Sequence, residues 1–343
     1  MSPSATQQFQ STLSQISYSS MDWLKEQVDP DNPTIDIAGE EPVEKNMSPP
    51  NRWQEAMREM IMEAGNEQQP NVPEFAITGV DPKPNMTSHK ITTGARTKTI
   101  KAVDISPEEP YLFSVVENET GAQYQISVIG RLGLPGKEGT VYRTNETSLI
   151  GTAIALNRAM KVYRKAKSIK AVRQEAQFQQ IAAKCGIAPQ VYAIVGPGGN
   201  LDVTGPKIIM GLVGERVIDR ITRQNGILTA AQQFSLLKTA LRLDACGVRH
   251  NDPNPLNFMF STKDSDDVMW IDYGFAKKQP PTAFNNLSSL RTLLRGGMQG
   301  IVSRGQLKPE GAAIIDGWLS KLQEGGGTLT GEQVTAIERN EEA

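Results

Sequence analysis

Two short segments carry the residues most able to do chemistry. In His250-Asn251-Asp252-Pro253-Asn254-Pro255-Leu256-Asn257, a carboxylate precedes an amide by five residues. In Trp270-Ile271-Asp272-Tyr273-Gly274, a second carboxylate follows Asn257 by fifteen. Asp252, Asn257 and Asp272 together offer a base and hard oxygen ligands, the donor set that suits Mg²⁺ holding a nucleotide. The apolar run Met269-Trp270-Ile271 just before Asp272 reads as a strand that would fix its position.

Three further features lie upstream. Gly133-Leu134-Pro135-Gly136-Lys137-Glu138-Gly139-Thr140-Val141-Tyr142 falls between two predicted strands. Glycines there let backbone approach phosphate oxygens, and successive N–H groups can cradle negative charge, although a glycine-rich hairpin alone is more often structural. Lys161 sits inside the largely apolar Ala159-Met160-Lys161-Val162-Tyr163. On its own it would be an exposed residue on the polar side of a strand. Glu175 lies in the helix that follows, where a lone glutamate is usually just solvated.

Taken in order, these features resemble the protein-kinase superfamily over about residues 123–278. The resemblance implies an ATP- and Mg²⁺-dependent transfer of a γ-phosphate to a hydroxyl. Lys161 would bridge the nucleotide's phosphates and be held by Glu175, and Asp252 would orient the acceptor and take its proton. Asn257 and Asp272 would bind the metal. Gly136, Lys137, Gly139 and Val141 would cover the nucleotide, with Met210 at the start of an adenine-binding hinge over residues 210–214. His250 would support the loop rather than carry protons.

The family pattern is departed from in three places. Leu134 stands at the first glycine position, with Gly133 one place early. Asn254 replaces the lysine usual two residues after the catalytic aspartate in serine/threonine kinases. No Ala-Pro-Glu follows Asp272, and residues 275–343 alone complete the chain. The pattern is that of a compact, atypical serine/threonine-kinase-like branch. The His-Asn-Asp wording is similar to choline and ethanolamine kinases, and the Asp252-to-Asn257 frame to aminoglycoside phosphotransferases. A protein acceptor is favoured. Alternatives are a small hydroxylated acceptor and a nucleotide-binding pseudokinase serving as an assembly module.

The elements that must position these residues follow from pattern. Residues 111–117, 123–129, 139–144, 149–155, 158–163 and 207–212 are β-branched or aromatic runs and predict strands. Ser168–Lys184 predicts a helix with Ser168 at its start and Gly186 past its end, and Ala230–Cys246 predicts another. Strands, one helix, strand, then helices give an α+β order. The expected fold is two-lobed and kinase-like. An antiparallel sheet with one helix fills 110–213, a reduced helical lobe fills 214–325, and a mobile tail spans 326–343.

Residues 1–100 are polar and proline-rich, and predict a largely irregular, poorly ordered extension. Within it, Arg52–Ala64 places Trp53, Met57, Met60 and Ile61 on one stripe. That stripe either packs on the catalytic domain or docks a protein partner; Phe9–Val28 is a weaker helix. The 343 residues carry a net charge of −2, which gives no field for nucleic acid or anionic membrane. No window approaches the roughly 18 apolar residues of a membrane span, and no secretory signal opens the chain. With two cysteines, Cys185 and Cys246, read as small buried hydrophobes in a reducing compartment, the expectation is a soluble cytoplasmic protein.

Overall fold

The computed structural model describes residues 72–80, 86–93, 96–103, 105, 110–133, 136, 138–148, 156–201, 204–296 and 300–343, all within the unit Met47–Ala343. It is a mixed α+β structure, sheet-rich in its N-terminal half and helical beyond it. The predicted helices at 9–28 and 52–64 and the predicted strand at 149–155 lie outside the described residues.

The strands are β1 (Glu74–Val80), β2 (Met86–Thr93), β3 (Arg96–Val103), β4 (Tyr111–Glu117), β5 (Gln123–Arg131), β6 (Gly139–Ser148), β7 (Leu156–Tyr163), β8 (Val191–Val195) and β9 (Lys207–Gly211). Helix α1 (Ile169–Lys184) joins β7 to β8. Among the described residues, β2 and β3 pair only with each other. The others close into a barrel in the order β1-β4-β5-β6-β7-β9-β8, so the antiparallel sheet expected over 110–213 runs from β4 to β8 and is closed into a ring by β1. The closing contact is parallel: Glu74 pairs with Ile194 and Phe75 with Val195. β1 also corrects the boundary of the polar extension, since a barrel strand lies inside the stretch expected to be irregular.

β7 is buried on both faces. Met160 and Val162 point into the barrel with Tyr142, Phe113 and Ile209. Ala159 and Tyr163 point the other way, onto Val172 and Ala176 of α1. Strand alternation therefore puts Lys161 on the helix side. Ser168 caps α1, its hydroxyl accepting from the Ala171 N–H at 3.2 Å. The buried stripe of α1 runs through Val172, Glu175, Ala176, Gln179 and Ala182, so a carboxylate occupies a core position facing β7.

The helical half comprises α2 (Val217–Arg223), α3 (Ala230–Ala245), α4 (Asn285–Arg295), α5 (Ala313–Glu324) and α6 (Gly331–Glu338). Between α3 and α4 lie the short strands β10 (Val248–Arg249), β11 (Phe258–Phe260), β12 (Val268–Trp270) and β13 (Lys277–Lys278). One apolar core binds them, built on Leu236, Leu237, Leu241, Trp270, Leu287 and Trp318.

Two expectations fail here. The supposed mobile tail contains α6, started by a Thr330–Gln333 capping box and anchored by buried Val334 and Ile337. Cys185 and Cys246 are joined as a disulfide, linking the residue that caps the end of α1 to the one that caps the end of α3. Their separation of 61 residues hides that proximity from the sequence. No helix among the described residues is long and apolar enough to cross a membrane.

Candidate functional site

The fifteen-residue interval between Asn257 and Asp272 is one hairpin. β11 and β12 pair with Phe258 opposite Trp270, and just outside that pair the Ile271 N–H donates to the Asn257 carbonyl at 2.9 Å. Asn257 is brought to Asp252 by the short 3₁₀ turn Pro255–Asn257, where the Asn254 side chain accepts from the Leu256 N–H at 3.0 Å. The Asn257 amide nitrogen donates to Asp252 Oδ2 at 2.8 Å and to the Asp252 carbonyl at 3.2 Å. That use of its NH₂ leaves its Oδ1 as the atom suited to a hard cation.

Asp272 has φ 67°, a left-handed conformation uncommon outside glycine. It opens a 3₁₀ turn over Tyr273–Phe275. Lys161 Nζ lies 2.7 Å from Glu175 Oε1 and 2.8 Å from Asp272 Oδ1, so the barrel, α1 and the hairpin meet at one ammonium. Burial alone would lower the Lys161 pKa, but the Glu175 and Asp272 charges win and raise it. Burial alone would raise Asp272; the Lys161 charge and hydrogen bond outweigh that and hold it below the usual carboxylate value. Both groups are ionised at neutral pH.

His250 supports this arrangement from within. It is buried between the Trp270 and Tyr273 rings, at centroid distances of 4.6 and 4.9 Å, with Nε2 3.0 Å from the Ile271 carbonyl. Burial pushes its pKa down to about 4, so the neutral ring donates from Nε2 and carries no charge at pH 7. Its backbone N–H donates to Asn286 Oδ1 at 2.9 Å, and the Asn286 amide in turn donates to Asp244 at 2.7 Å.

The sites expected in the glycine stretch fall less uniformly. Val141 pairs with Lys161 across β6 and β7. At Gly139 a Cβ would stand 2.1 Å from the Val162 carbonyl, so the β7 backbone itself demands glycine there. Gly136 is exposed, its carbonyl accepting from Arg164 Nη2 at 3.1 Å, and Lys137 lies outside the described residues. Met210 is buried against α1, its sulfur accepting from Gln179 at 3.5 Å.

Sequence patterns missed three residues that border the site. Lys167 and Glu138 form an ion pair at 2.8 Å, and Lys167 is also 3.5 Å from Glu175 Oε2. Tyr163 packs beneath both lysines, its hydroxyl pushed well above its usual pKa by burial and then by the Glu175 charge. The apolar run through Tyr163 was visible, but nothing in the spacing of Glu138 and Lys167 marks them as partners. Beside the site, Leu256 and Phe275 are 47% and 57% exposed, apolar side chains that the core does not claim.

The site thus gathers an ammonium at Lys161, the amide oxygen of Asn257, and the carboxylates of Asp252, Glu175 and Asp272. No protein-family model matches the chain, and no curated protein sequence matches it. Among solved structures, it is similar to a twitchin kinase fragment of C. elegans, described as an autoregulated protein kinase with immunoglobulin domains. The TM-score is 0.43 at 15% identity, over 61% of this chain and 56% of that one, so the chain spans little more than half of that protein's length.

Proposed function

We propose that this chain is a compact two-lobed kinase that transfers the γ-phosphate of ATP to a hydroxyl, most favourably a serine or threonine of a protein. The observation that carries this is the single ammonium of Lys161 held between Glu175 and Asp272, which are 97 residues apart in sequence. A buried lysine held in place by Glu175 and Asp272 keeps its ammonium at a fixed point, where a third N–H remains to donate to a phosphate oxygen.

The residues divide the work as follows. Lys161 binds phosphate oxygens, and Glu175 keeps it pointed. Asn257 Oδ1 and the Asp272 carboxylate are oxygen donors of the kind Mg²⁺ takes, and they fit that ion by chemistry. Bound there, Mg²⁺ would neutralise charge on the phosphates. Asp252, oriented by Asn257, accepts the acceptor's proton while the acceptor oxygen bonds to the γ-phosphorus. The bond from that phosphorus to the bridging oxygen breaks, and ADP leaves. Positioning and charge neutralisation supply most of the rate, because such a transition state asks little covalent chemistry of the protein.

The test is Mg²⁺-dependent transfer of labelled γ-phosphate to generic proteins, to the chain itself, and to choline and aminoglycosides. Transfer lost in both Asp252→Asn and Lys161→Met supports the kinase, and the labelled acceptor names its class. Label on choline or an aminoglycoside alone would replace the protein acceptor. Nucleotide binding without transfer to anything would make the chain a binding module instead.

A further inference from the structure

Lys167 has no part in the roles assigned above, yet its ammonium stands in the same cluster. The carboxylate oxygens of Glu138, Glu175 and Asp272 converge within 4.8 Å of one another. Two ammoniums hold these three negative charges together. Lys161 takes Glu175 Oε1 and Asp272 Oδ1, while Lys167 takes Glu138 Oε2 at 2.8 Å and lies 3.5 Å from Glu175 Oε2. A Cβ added at Gly274 would come within 3.4 Å of Lys167 Nζ and 3.5 Å of Asp272 Oδ1. Lys167 therefore borders the turn that carries Asp272, not only the outer rim of α1.

Glu138 is the member that the glycine stretch contributes. Its backbone carbonyl accepts from the Arg164 N–H at 2.9 Å, so its side chain is aimed from a fixed strand entrance. Glu175 Oε2, by contrast, is buried and makes no hydrogen bond among the described residues, so the lysine's short hydrogen bond goes to Glu138. A carboxylate and a phosphate oxygen are interchangeable partners for an ammonium, which is a compact charge with three donors. The side chain of Lys167 is one-fifth exposed, so a ligand can reach it.

We propose that Lys167 is a second phosphate-binding lysine, and that Glu138 is its internal placeholder, displaced when the phosphates of a nucleoside triphosphate enter. This rests on the proposed kinase function and names the residue that function leaves out. A placeholder competes with the ligand, whereas a structural ion pair supports the fold. The two roles differ in sign: removing a competitor tightens binding, and removing a support does not.

The experiment is calorimetric titration of the full chain with MgATP, MgADP and adenosine. It compares wild type, Lys167→Met, Glu138→Gln and Lys161→Met, with thermal unfolding of each. Lys167→Met is expected to weaken MgATP tenfold or more and to leave adenosine within twofold. Glu138→Gln is expected to tighten MgATP at least threefold, and this holds as the deciding measurement should Lys167→Met fail to fold. Weakened MgATP in Glu138→Gln, or an equal loss of adenosine in Lys167→Met, overturns the proposal. MgATP binding lost in Lys161→Met but unchanged in Lys167→Met overturns it while leaving the kinase standing. A wild type that binds none of the three ligands removes the nucleotide site and this inference together.

Discussion

Asn286 links Asp244 to His250: its amide donates to the Asp244 carboxylate at 2.7 Å, while its carbonyl oxygen accepts from the His250 backbone at 2.9 Å. The two ends of that link titrate in opposite senses. Burial raises Asp244 to about 7, against the lowering effect of its hydrogen bonds from Asn286, Leu287 and Gln279. Burial lowers His250 to about 4.

The pH dependence of stability follows from those two shifts. Asp244 has a folded pKa above its unfolded value, so its contribution is full below about 4 and is lost as pH rises through about 7. His250 has a folded pKa below its unfolded value of 6.5, so its contribution is full above 6.5 and is lost as pH falls through about 4. The slopes oppose each other over the same window. Urea unfolding of the wild type is expected to change little between pH 4.5 and 6.5 on their account. His250→Gln should leave stability falling as pH rises, and Asp244→Asn should leave it falling as pH drops, each by about 3 kcal/mol across the window. Parallel curves for all three proteins would contradict both assignments.

Glu175→Ala should be among the most damaging single changes. It leaves Lys161 buried with Asp272 alone and strips Lys167 of its inner neighbour. Breaking a buried ion pair by removing one partner costs about 3–5 kcal/mol, and a stability loss of that size is expected by urea titration. Phosphoryl transfer should fall at least a hundredfold under conditions where the variant stays folded. A loss under about 1 kcal/mol would show that Lys161 is not sealed against water.

Gly139→Ala separates a backbone requirement from a ligand requirement. The added methyl would meet the Val162 carbonyl at 2.1 Å, within the start of the β6–β7 pairing. A loss of about 1–3 kcal/mol is expected from the forced shift, whether or not nucleotide is present. Gly136→Ala, where the nearest atom is the Gly139 carbonyl at 3.3 Å, should cost much less. Equal melting temperatures for the two variants would refute the distinction.

Ending the chain after Gly327 removes α6 with buried Val334 and Ile337, and the Glu338 partner of Arg242 at 2.8 Å. Each buried aliphatic side chain contributes about 1.5–3 kcal/mol, so the truncation should lower stability by several kcal/mol. Removing only Glu342 and Ala343 should have a small effect by the same measurement, since the Glu341 carbonyl still accepts from the buried Trp318 Nε1 at 3.2 Å. A truncation at Gly327 that leaves the melting temperature unchanged would show that α6 does not anchor the helical core.

What the sequence made legible was local. β-branched runs marked β4, β5 and β9, and Ser168 with Gly186 bracketed α1 at its observed ends. Lys161, Glu175 and Asp272 were named from ordered motifs, and the structure brings the three together. The illegible parts depend on partners far along the chain. β1 is a short run set among prolines, and only β4 and β8 give it a reason to be a strand. Cys185 meets Cys246, and Glu138 meets Lys167, through folding that no spacing encodes. α6 leaves little trace in the sequence because its eight residues carry few apolar positions, and burial of Val334 and Ile337 comes from the helices around it.

The closed barrel also decides where the chain can be shortened. A deletion of residues 1–95, a natural cut for removing a polar leader, would take β1 with it. β4 and β8 would then each present a row of unpaired N–H and C=O groups to solvent. Bare strand edges of that kind are templates for pairing with another copy, so such a fragment should associate and precipitate. A fragment starting upstream of Val72 keeps the ring intact and is the one whose behaviour reports on the leader itself.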